Sequence, residues 1–482
     1  MHTTHNELNL TREEAIRVKI PLREALIGDR NFYRRAAAVV LPMMLQNTLT
    51  NIVSLLDNVM VGRVGTLPMS AVAIVNQMFF VLYLCIFGSL SGAGIYSTQF
   101  FGKQDEEGVR VTVRIKIVIV TVIVSVAMIL FLTCGTWMVG RYIAADTSAA
   151  DAAQTMHYAR TYLLIMLVGF YPFGFTQVLG GTMRESGQTT LPMIASVAAM
   201  AVNFVLNLLL IFGYLGFPRL GVAGAAIATV ISRFVELLII LIGALRDQEK
   251  YGFFRNVFHP FHIPGEMVLP ILSKSMPLMV NEFFFSFGMA VLMQCYSVRG
   301  LNIIAAMNIS QTVANVFTQA FMSLGGATGI IVGQELGAGR LVSARRIAWQ
   351  LTALSVAVSV LFGLALFAVA PVFPQIYNTE PEIRRLATNF IRVQGLCMAI
   401  MAYGNNMYFT LRSGGKIFIT ILFDSCFVWA VSVPVAYLLA HLTALPALSI
   451  YLTVTLLDLI KCVIGHMMVH KGIWVKNIVA DL

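Results

Sequence analysis

Twelve apolar segments recur along this chain, each about 20 residues or longer and so able to cross roughly 30 Å of hydrocarbon. They fall near residues 36–60, 68–97, 115–139, 160–183, 190–216 and 222–245, and again near 270–298, 302–334, 346–374, 385–411, 417–440 and 445–469. A soluble globule could not keep so much apolar chain from water: 58% of the 482 residues are hydrophobic, 12% are charged, and the mean hydropathy is +0.80. Bilayer is the expected solvent. Upstream of the first segment, Thr11 followed by Glu14 is a capping-box signature, and the stretch to Ile27 mixes apolar residues with charges, as an interfacial helix would.

A net charge of +10 would suit a nucleic-acid partner only if the basic residues shared one face. They sit instead in short blocks between apolar segments. With the N-terminus in the cytoplasm, the inside segments hold Arg12 to Arg35, Lys103, Arg110, Arg114, Lys116, Arg184, Arg246 to Lys274, Arg340, Arg345, Arg346, Arg412, Lys416, Lys471 and Lys476. Outside loops hold far fewer, so the positive-inside rule predicts an inner-membrane protein with both termini cytoplasmic. Six cysteines fall in or at the ends of apolar runs with no Cys-x-x-Cys spacing, which supports neither a disulfide framework nor a zinc site. The charged first 34 residues contain no long apolar core, so no cleavable signal peptide is expected.

The chain also repeats itself. A shift of 235 residues superimposes Pro42 on Pro277, Gly65 on Gly300, Ala71 on Ala306, Gly94 on Gly329, Gln99 on Gln334, Gly102 on Gly337 and Arg110 on Arg345. Hydropathy alone does not place Pro, Gly, Gln and Arg in register. Six spans have been duplicated, and because six is even, both copies enter the membrane in the same sense. The predicted fold class is an all-α polytopic membrane protein of twelve transmembrane helices in two pseudo-symmetric six-helix lobes, with a central cavity open alternately to either side. The expected divisions are an N-terminal segment 1–34, an N-lobe 35–246, a linker 247–269, a C-lobe 270–469 and a tail 470–482.

Particular residues in this frame carry a resemblance. Pro42 is followed by Asp57-Asn-Val-Met-Val-Gly-Arg-Val-Gly65, and Arg184-Glu-Ser-Gly187 ends the fourth span. Asn203-Phe-Val-Leu-Asn207 and the run from Phe212 to Thr229 cross the fifth and sixth spans, and Val332 to Gly339 and Leu411-Arg-Ser-Gly414 are the matching elements of the second half. Over nearly its full length the chain resembles the multidrug and toxic compound extrusion (MATE) family. The resemblance implies export of amphipathic, mostly cationic organic compounds, driven by inward flow of H⁺ or Na⁺, with no other cofactor.

The residues point to coupling independently. An ionised carboxylate inside a span costs about 2.5–3.5 kcal/mol, so Asp57 must face other helices or water and either hold a cation or carry a proton. Asn203 and Asn207, at i and i+4, share one helix face, and Thr229 offers a hydroxyl from the next span. In the family, the positions matching Asp57, Asn203, Asn207 and Thr229 form a cation or proton site. These four are the one place a metal ion, Na⁺, is expected.

Glu282, preceded by Asn281, stands in the seventh span opposite Gln46 and Asn47 of the first by the repeat. These residues and Gln311 are the candidates for substrate or proton binding, with Asn308 and Asn315 as possible companions of Gln311 or as interhelical glue. The pairs Arg233/Glu236 and Asp458/Lys461 have the i, i+3 spacing of self-neutralising ion pairs, while Asp424 has no cation near it in sequence. The tenth span carries only Asn405 and Asn406 where many relatives have a carboxylate. Phe283, Phe284 and Phe285 cannot all face one cavity at helical spacing, and lipid or core contacts are expected for most of them.

Rival functions are weaker. A flippase for lipid-linked saccharides would add helices or several cavity arginines, whereas Arg233 alone lies well inside a span. A membrane enzyme would need clustered catalytic groups, and no paired His or Ser-His-Asp set stands at one membrane face. Isolated carboxylates in duplicated lobes fit alternating access better than the charge rings of a channel. The expected partners are small organic cations and membrane lipids, not nucleic acid, with the monomer as the working unit.

Overall fold

The computed structural model describes residues 11–143, 148–259, 261–377, 379–480 and 482. His2, His5 and Glu7 of the expected N-terminal segment lie outside them. No strand occurs among the described residues.

Thr11 caps α1 (Arg12–Arg17) through the expected box, its backbone N–H donating to Glu14 Oε2 at 2.8 Å. The expected interfacial helix is broken into two, because Pro21 disfavours helical backbone at the residue before it. Beyond it lies α2 (Leu22–Leu26). The spans of the first half are α3 (Arg30–Gly62), α4 (Thr66–Lys103), α5 (Glu106–Tyr142), the pair α6 (Ala149–Leu167) and α7 (Phe170–Glu185), α8 (Thr190–Phe212) and α9 (Val222–Arg246). The second half continues with α10 (Gly265–Ser297), α11 (Leu301–Gly337), α12 (Leu341–Val369), α13 (Pro381–Ser413), α14 (Ile417–Ile421), α15 (Val433–Leu442), α16 (Ala447–Leu456) and α17 (Asp458–His470).

Ten helical stretches among the described residues are long and apolar enough to cross a membrane, and the bent pair α6–α7 makes eleven. The remaining expected span is α13, whose first turns carry Glu382, Arg384, Arg385 and Arg392. It is 33 residues long, and its charge, not its length, sets it apart. All twelve expected segments are thus helical, with local departures. The fourth bends by 47° between α6 and α7, where Pro172 lacks an N–H and its ring would meet the carbonyl of Val168 in a straight helix. The fifth stops at Phe212 rather than 216, because Gly213 takes the left-handed conformation (φ +76°) that ends a helix. The eleventh widens into π-helical turns at Leu422–Cys426 and Val428–Ser432, just before Pro434 removes a donor from the ladder.

The chain forms two compact units. One, the C-terminal unit, comprises residues 1–44, 98–105 and 276–482; the other, the N-terminal unit, comprises 45–97 and 106–275. In the C-terminal unit, Val39 and Val40 of α3 join Leu324 and Ile331 of α11, Leu351 of α12, Leu411 of α13, and Trp474 and Val475 beyond α17 in one buried cluster. Here the end of α4 crosses the end of α11 at glycine contacts. A Cβ on Gly102 would lie 1.9 Å from the Gln334 carbonyl oxygen, and one on Gly337 would lie 1.9 Å from that of Gln99. Gln99 and Gln334, and Gly102 and Gly337, are the residues superimposed by the repeat, so the contact maps onto itself, as a local two-fold axis requires.

In the N-terminal unit the glycines also admit close neighbours. A Cβ on Gly92 would lie 2.5 Å from Ser275 Cα, and one on Gly94 the same distance from Glu185 Oε1. Packing accounts for both. Gly337→Ala is expected to cost about 1–3 kcal/mol, since both partners in the clash are backbone. Gly140→Ala, whose new Cβ would meet only the mobile end of Met156 at 3.6 Å, should be neutral or stabilising by up to about 1 kcal/mol. Thermal melts of the two variants in the same detergent test this contrast.

Candidate functional site

Two hydrogen bonds fix the register of α3 against α8. Gln46 Nε2 donates to Ser196 Oγ at 2.7 Å and Asn207 Nδ2 donates to Asp57 Oδ1 at 2.7 Å; both pairs are 150 residues apart in the chain. The two helices therefore run parallel and in step, with the polar rungs about 16 Å apart along their axes. Between the rungs the seam is an apolar groove lined by Leu49, Val53 and Leu56 of α3 and Val197, Met200, Ala201 and Phe204 of α8.

α9 runs antiparallel to α8 and supplies the third side of each rung. Ser196 Oγ donates to Glu236 Oε1, and seven residues further along α8 the amide of Asn203 lies 3.3 Å from Thr229 Oγ1, seven residues earlier on α9. One rung is thus Gln46, Ser196 and Glu236; the other is Asp57, Asn207, Asn203 and Thr229. The latter brings together the four residues singled out for coupling.

The Asn203 amide fits this site in two orientations. In one, its Oδ1 accepts from Asn207 Nδ2 at 3.1 Å and its Nδ2 donates to Thr229 Oγ1. That oxygen then faces the two carboxyl oxygens of Asp57, a contact that becomes attractive only when Asp57 carries a proton. In the other, the amide nitrogen donates to Asp57 Oδ1 at 3.0 Å and Oδ2 at 3.2 Å, and the oxygen accepts from Thr229. That arrangement suits an ionised Asp57. Asn203 and Asn207 are buried, and Asn207 Oδ1 has no hydrogen-bond partner among the described residues. The four residues thus hold carboxylate, amide and hydroxyl oxygens in one hydrogen-bonded network, oxygen donors of the kind a hard cation takes.

The acids Glu185 and Glu236, also within spans of the N-terminal unit, lie at ion-pair distance from cations. Glu236 faces Arg233 Nη1 at 3.6 Å, and the Arg233 guanidinium lies 4.6 Å from the Phe173 ring centre, which itself packs on Tyr83. Glu185 binds Lys116 and Ser97, and Lys116 also donates to Thr182 at 3.2 Å. Lys116 is 1% exposed. It lies near the start of the span in α5 and neutralises the acid of the Arg184-Glu-Ser-Gly motif. Its position at the second residue of the apolar segment 115–139 was the available signal. Ser196 was also missed, though it stands seven residues before Asn203 on the same helix face.

In the C-terminal unit, Asn281 Nδ2 donates to Asp424 Oδ2 at 2.9 Å, and Ser425 Oγ donates to Asn281 Oδ1 at 2.7 Å. Asp424 lies on the first π-helical stretch, which sets it and Ser425 against α10. Glu282, half-buried beside this cluster, makes no hydrogen bond or ion pair among the described residues. Asn308, Gln311 and Asn315 form an exposed polar strip on α11, and no hydrogen bond ties their side chains to another helix. Asn405 and Asn406 are structural: Asn405 donates to the Phe321 carbonyl at 3.2 Å and Asn406 Oδ1 accepts from Thr328 at 2.7 Å. Phe283 and Phe284 are exposed and Phe285 packs into the core. Asp458 pairs with Lys461 at 2.6 Å. Of the five substrate candidates, Gln46 and Asn47 belong to the N-terminal unit and Asn281, Glu282 and Gln311 to the other. No group of three or more His, Cys, Asp or Glu side chains suited to a metal ion occurs among the described residues.

A family model described as MatE matches residues 42–209 and again 277–438. The two matches begin 235 residues apart, the shift of the internal repeat. A probable multidrug resistance protein YoeA of Bacillus subtilis is 24% identical over 87% of this chain and 89% of its own length. A probable multidrug resistance protein NorM of Thermotoga maritima is 23% identical over 92% of this chain and 93% of its own. Among solved structures, a MATE transporter in the straight conformation matches with a TM-score of 0.81 and 17% identity, covering 94% of this chain and 99% of the other. An outward-facing multidrug resistance MATE transporter matches with a TM-score of 0.79 and 18% identity over 94% and 98%.

The Lys116–Glu185 pair should behave as structure. Lys116→Met takes the cation away from the largely buried carboxylate of Glu185 and is expected to cost about 3–5 kcal/mol, while adding Glu185→Leu recovers most of it. A double-mutant cycle of thermal stability reads the coupling, and additive losses would refute it.

Proposed function

The chain belongs to the MATE family of transporters, and from that premise we propose that it is a secondary-active exporter of amphipathic organic cations, exchanging them for H⁺ or Na⁺ by alternating access. It is a multi-pass membrane transporter, not an enzyme. One observation carries the coupling assignment: Asp57 alone among the span carboxylates of the N-terminal unit has amides in place of a cation. Its charge is left for an exchangeable ion to balance.

The amides of Asn203 and Asn207 and the hydroxyl of Thr229 are the remaining partners of that ion. With H⁺, the proton resides on Asp57 and the Asn203 amide turns its oxygen toward it; with Na⁺, the amide oxygens, including the unpartnered Asn207 Oδ1, join the carboxylate. Loading therefore changes which hydrogen bonds tie α3 to α8 and α9, and this is how ion binding would bias one helix arrangement over another. Glu282 and Asp424, also without a cation at ion-pair distance among the described residues, are assigned to the cationic substrate, with Asn281 and Gln311 as polar companions. The basic segments favour an inner-membrane orientation with both termini cytoplasmic, and the monomer is taken as the working unit in contact with lipid.

Efflux of a fluorescent cationic dye from proteoliposomes, with H⁺ and Na⁺ gradients imposed separately, tests both assignments. Asp57→Asn should insert and melt like the wild type yet lose gradient-driven efflux, because the amide neither exchanges a proton nor balances Na⁺. Active transport at the wild-type rate would sink the coupling site. Glu282→Gln keeps size but removes charge, so efflux of a permanently cationic dye should fall severalfold, by about 5-fold for a loss of 1 kcal/mol. A neutral substrate should be affected less; equal losses for both would make Glu282 structural.

A further inference from the structure

Nothing in the reading above uses the stretch that follows α17, yet it is among the most thoroughly buried parts of the C-terminal unit. Trp474, Val475 and Val479 are each 0% exposed. Its apolar side chains account for that burial, Trp474 and Val475 lying in the core cluster, and its backbone and the side chain of Asn477 are in addition bound to the crossing of α4 and α11. Gln99 Oε1 accepts from the Ile478 backbone N–H at 2.8 Å, and Gln99 Nε2 donates to the carbonyls of Ser413 at 3.0 Å and Lys476 at 3.3 Å. From the same helix end, Lys103 Nζ donates to the Val479 carbonyl at 2.9 Å; from the other side, Asn477 Nδ2 donates to the Gly337 carbonyl at 3.2 Å.

Gln99 and Gly337 are thus used twice. They touch each other across the local two-fold, and each also holds the strap. The strap is anchored at its start by Gly472, whose positive φ (+65°) turns the chain back beneath α17, and by Arg12, which donates to the Ile473 carbonyl at 3.2 Å. Glycine contacts let two helix ends meet closely. The strap adds hydrogen bonds to both ends, and because none of them belongs to a helical ladder, the polar contacts of residues 476–479 can open without unfolding either helix while Trp474 and Val475 stay in the core.

We propose that residues 472–480 form a latch that keeps α4 and α11 closed at this end, and that its release is a gating step of the transport cycle. The proposal rests on the alternating-access reading, since only a protein that opens at this end needs a releasable fastening there. The extended strap replaces a permanent interhelical bond with one that opens and recloses, and Gln99 is its central positioning residue.

Two measurements test it. In a background with the native cysteines replaced by alanine, Lys103→Cys and Ala480→Cys place one thiol on α4 and one on the strap, both at exposed positions. Joining them with a short reducible thiol cross-linker should lower dye efflux in proteoliposomes by about tenfold, with recovery on reduction and no change in equilibrium dye binding. Undiminished efflux from the linked protein would overturn the latch. Separately, Thr98→Cys, at a position 4% exposed inside the crossing, reports opening by its rate of reaction with a polar thiol reagent. Gln99→Ala removes three hydrogen bonds to the strap and its neighbour and should speed that reaction by about tenfold at unchanged thermal stability of the helices. No acceleration would likewise overturn the proposal. Should the unlinked protein itself fail to drive efflux, the exporter reading fails and the gating role falls with it; labelling that still responds to Gln99→Ala then supports only the fastening of α4 to α11 by the strap.

Discussion

A charge inside a bilayer is costly unless it meets a partner or a water-lined cavity, and the arrangement of this protein depends on how that demand is satisfied. Where water is excluded, a span carboxylate holds particular neighbours in register. Lys116 and Glu185 tie α5 to α7, and the Gln46–Ser196–Glu236 rung ties α3, α8 and α9 together. The second rung, at Asp57, uses the same three helices in the same register. A rung with an ion pair and a rung without one thus share a common frame, so under the proposed coupling changes at the second would be resisted by the first.

The same demand separates structural acids from functional ones. Glu185, Glu236 and Asp458 have cations at ion-pair distance, whereas Asp57 and Asp424 have amides and Glu282 has no hydrogen bond or ion pair among the described residues. An acid with a built-in cation gains little from binding another. An acid supported by neutral donors is stabilised either by a proton or by a bound cation, and the amide of Asn203 can face it both ways. Close packing by glycine complements this pattern: α4 and α11 meet through Gly102 and Gly337, and the segment after α17 adds hydrogen bonds to both helix ends.

Some of this was legible in sequence for definite reasons. Apolar length gave the spans, and the 235-residue repeat gave their duplication, because both are properties of the chain read one residue at a time. The four residues of the Asp57 rung could be grouped because helical spacing places Asn203 and Asn207 on one face and the family resemblance added Thr229. The partner of Lys116 was not legible, because hydropathy at the edge of a span does not distinguish a residue that faces water from one turned inward to an acid 69 positions away. The bend at Pro172 and the π-helical turns before Pro434 went unplaced for a related reason: a proline announces a missing donor, while the way the ladder relaxes around it depends on what packs alongside.

By itself, then, the sequence determined the solvent of this protein, the number and order of its helices, its duplication, and the few residues too polar to be there without purpose. These follow from local composition and from spacing along a single helix. Only the tertiary structure decided which acid is paired with a cation and which is not, that α3 and α8 run in step with two rungs between them, and that the segment after α17 is bound to the crossing of α4 and α11. Each of those depends on contacts between residues tens to hundreds of positions apart, and the side chain that completes such a contact is chosen by the packing of whole helices, which no local pattern records.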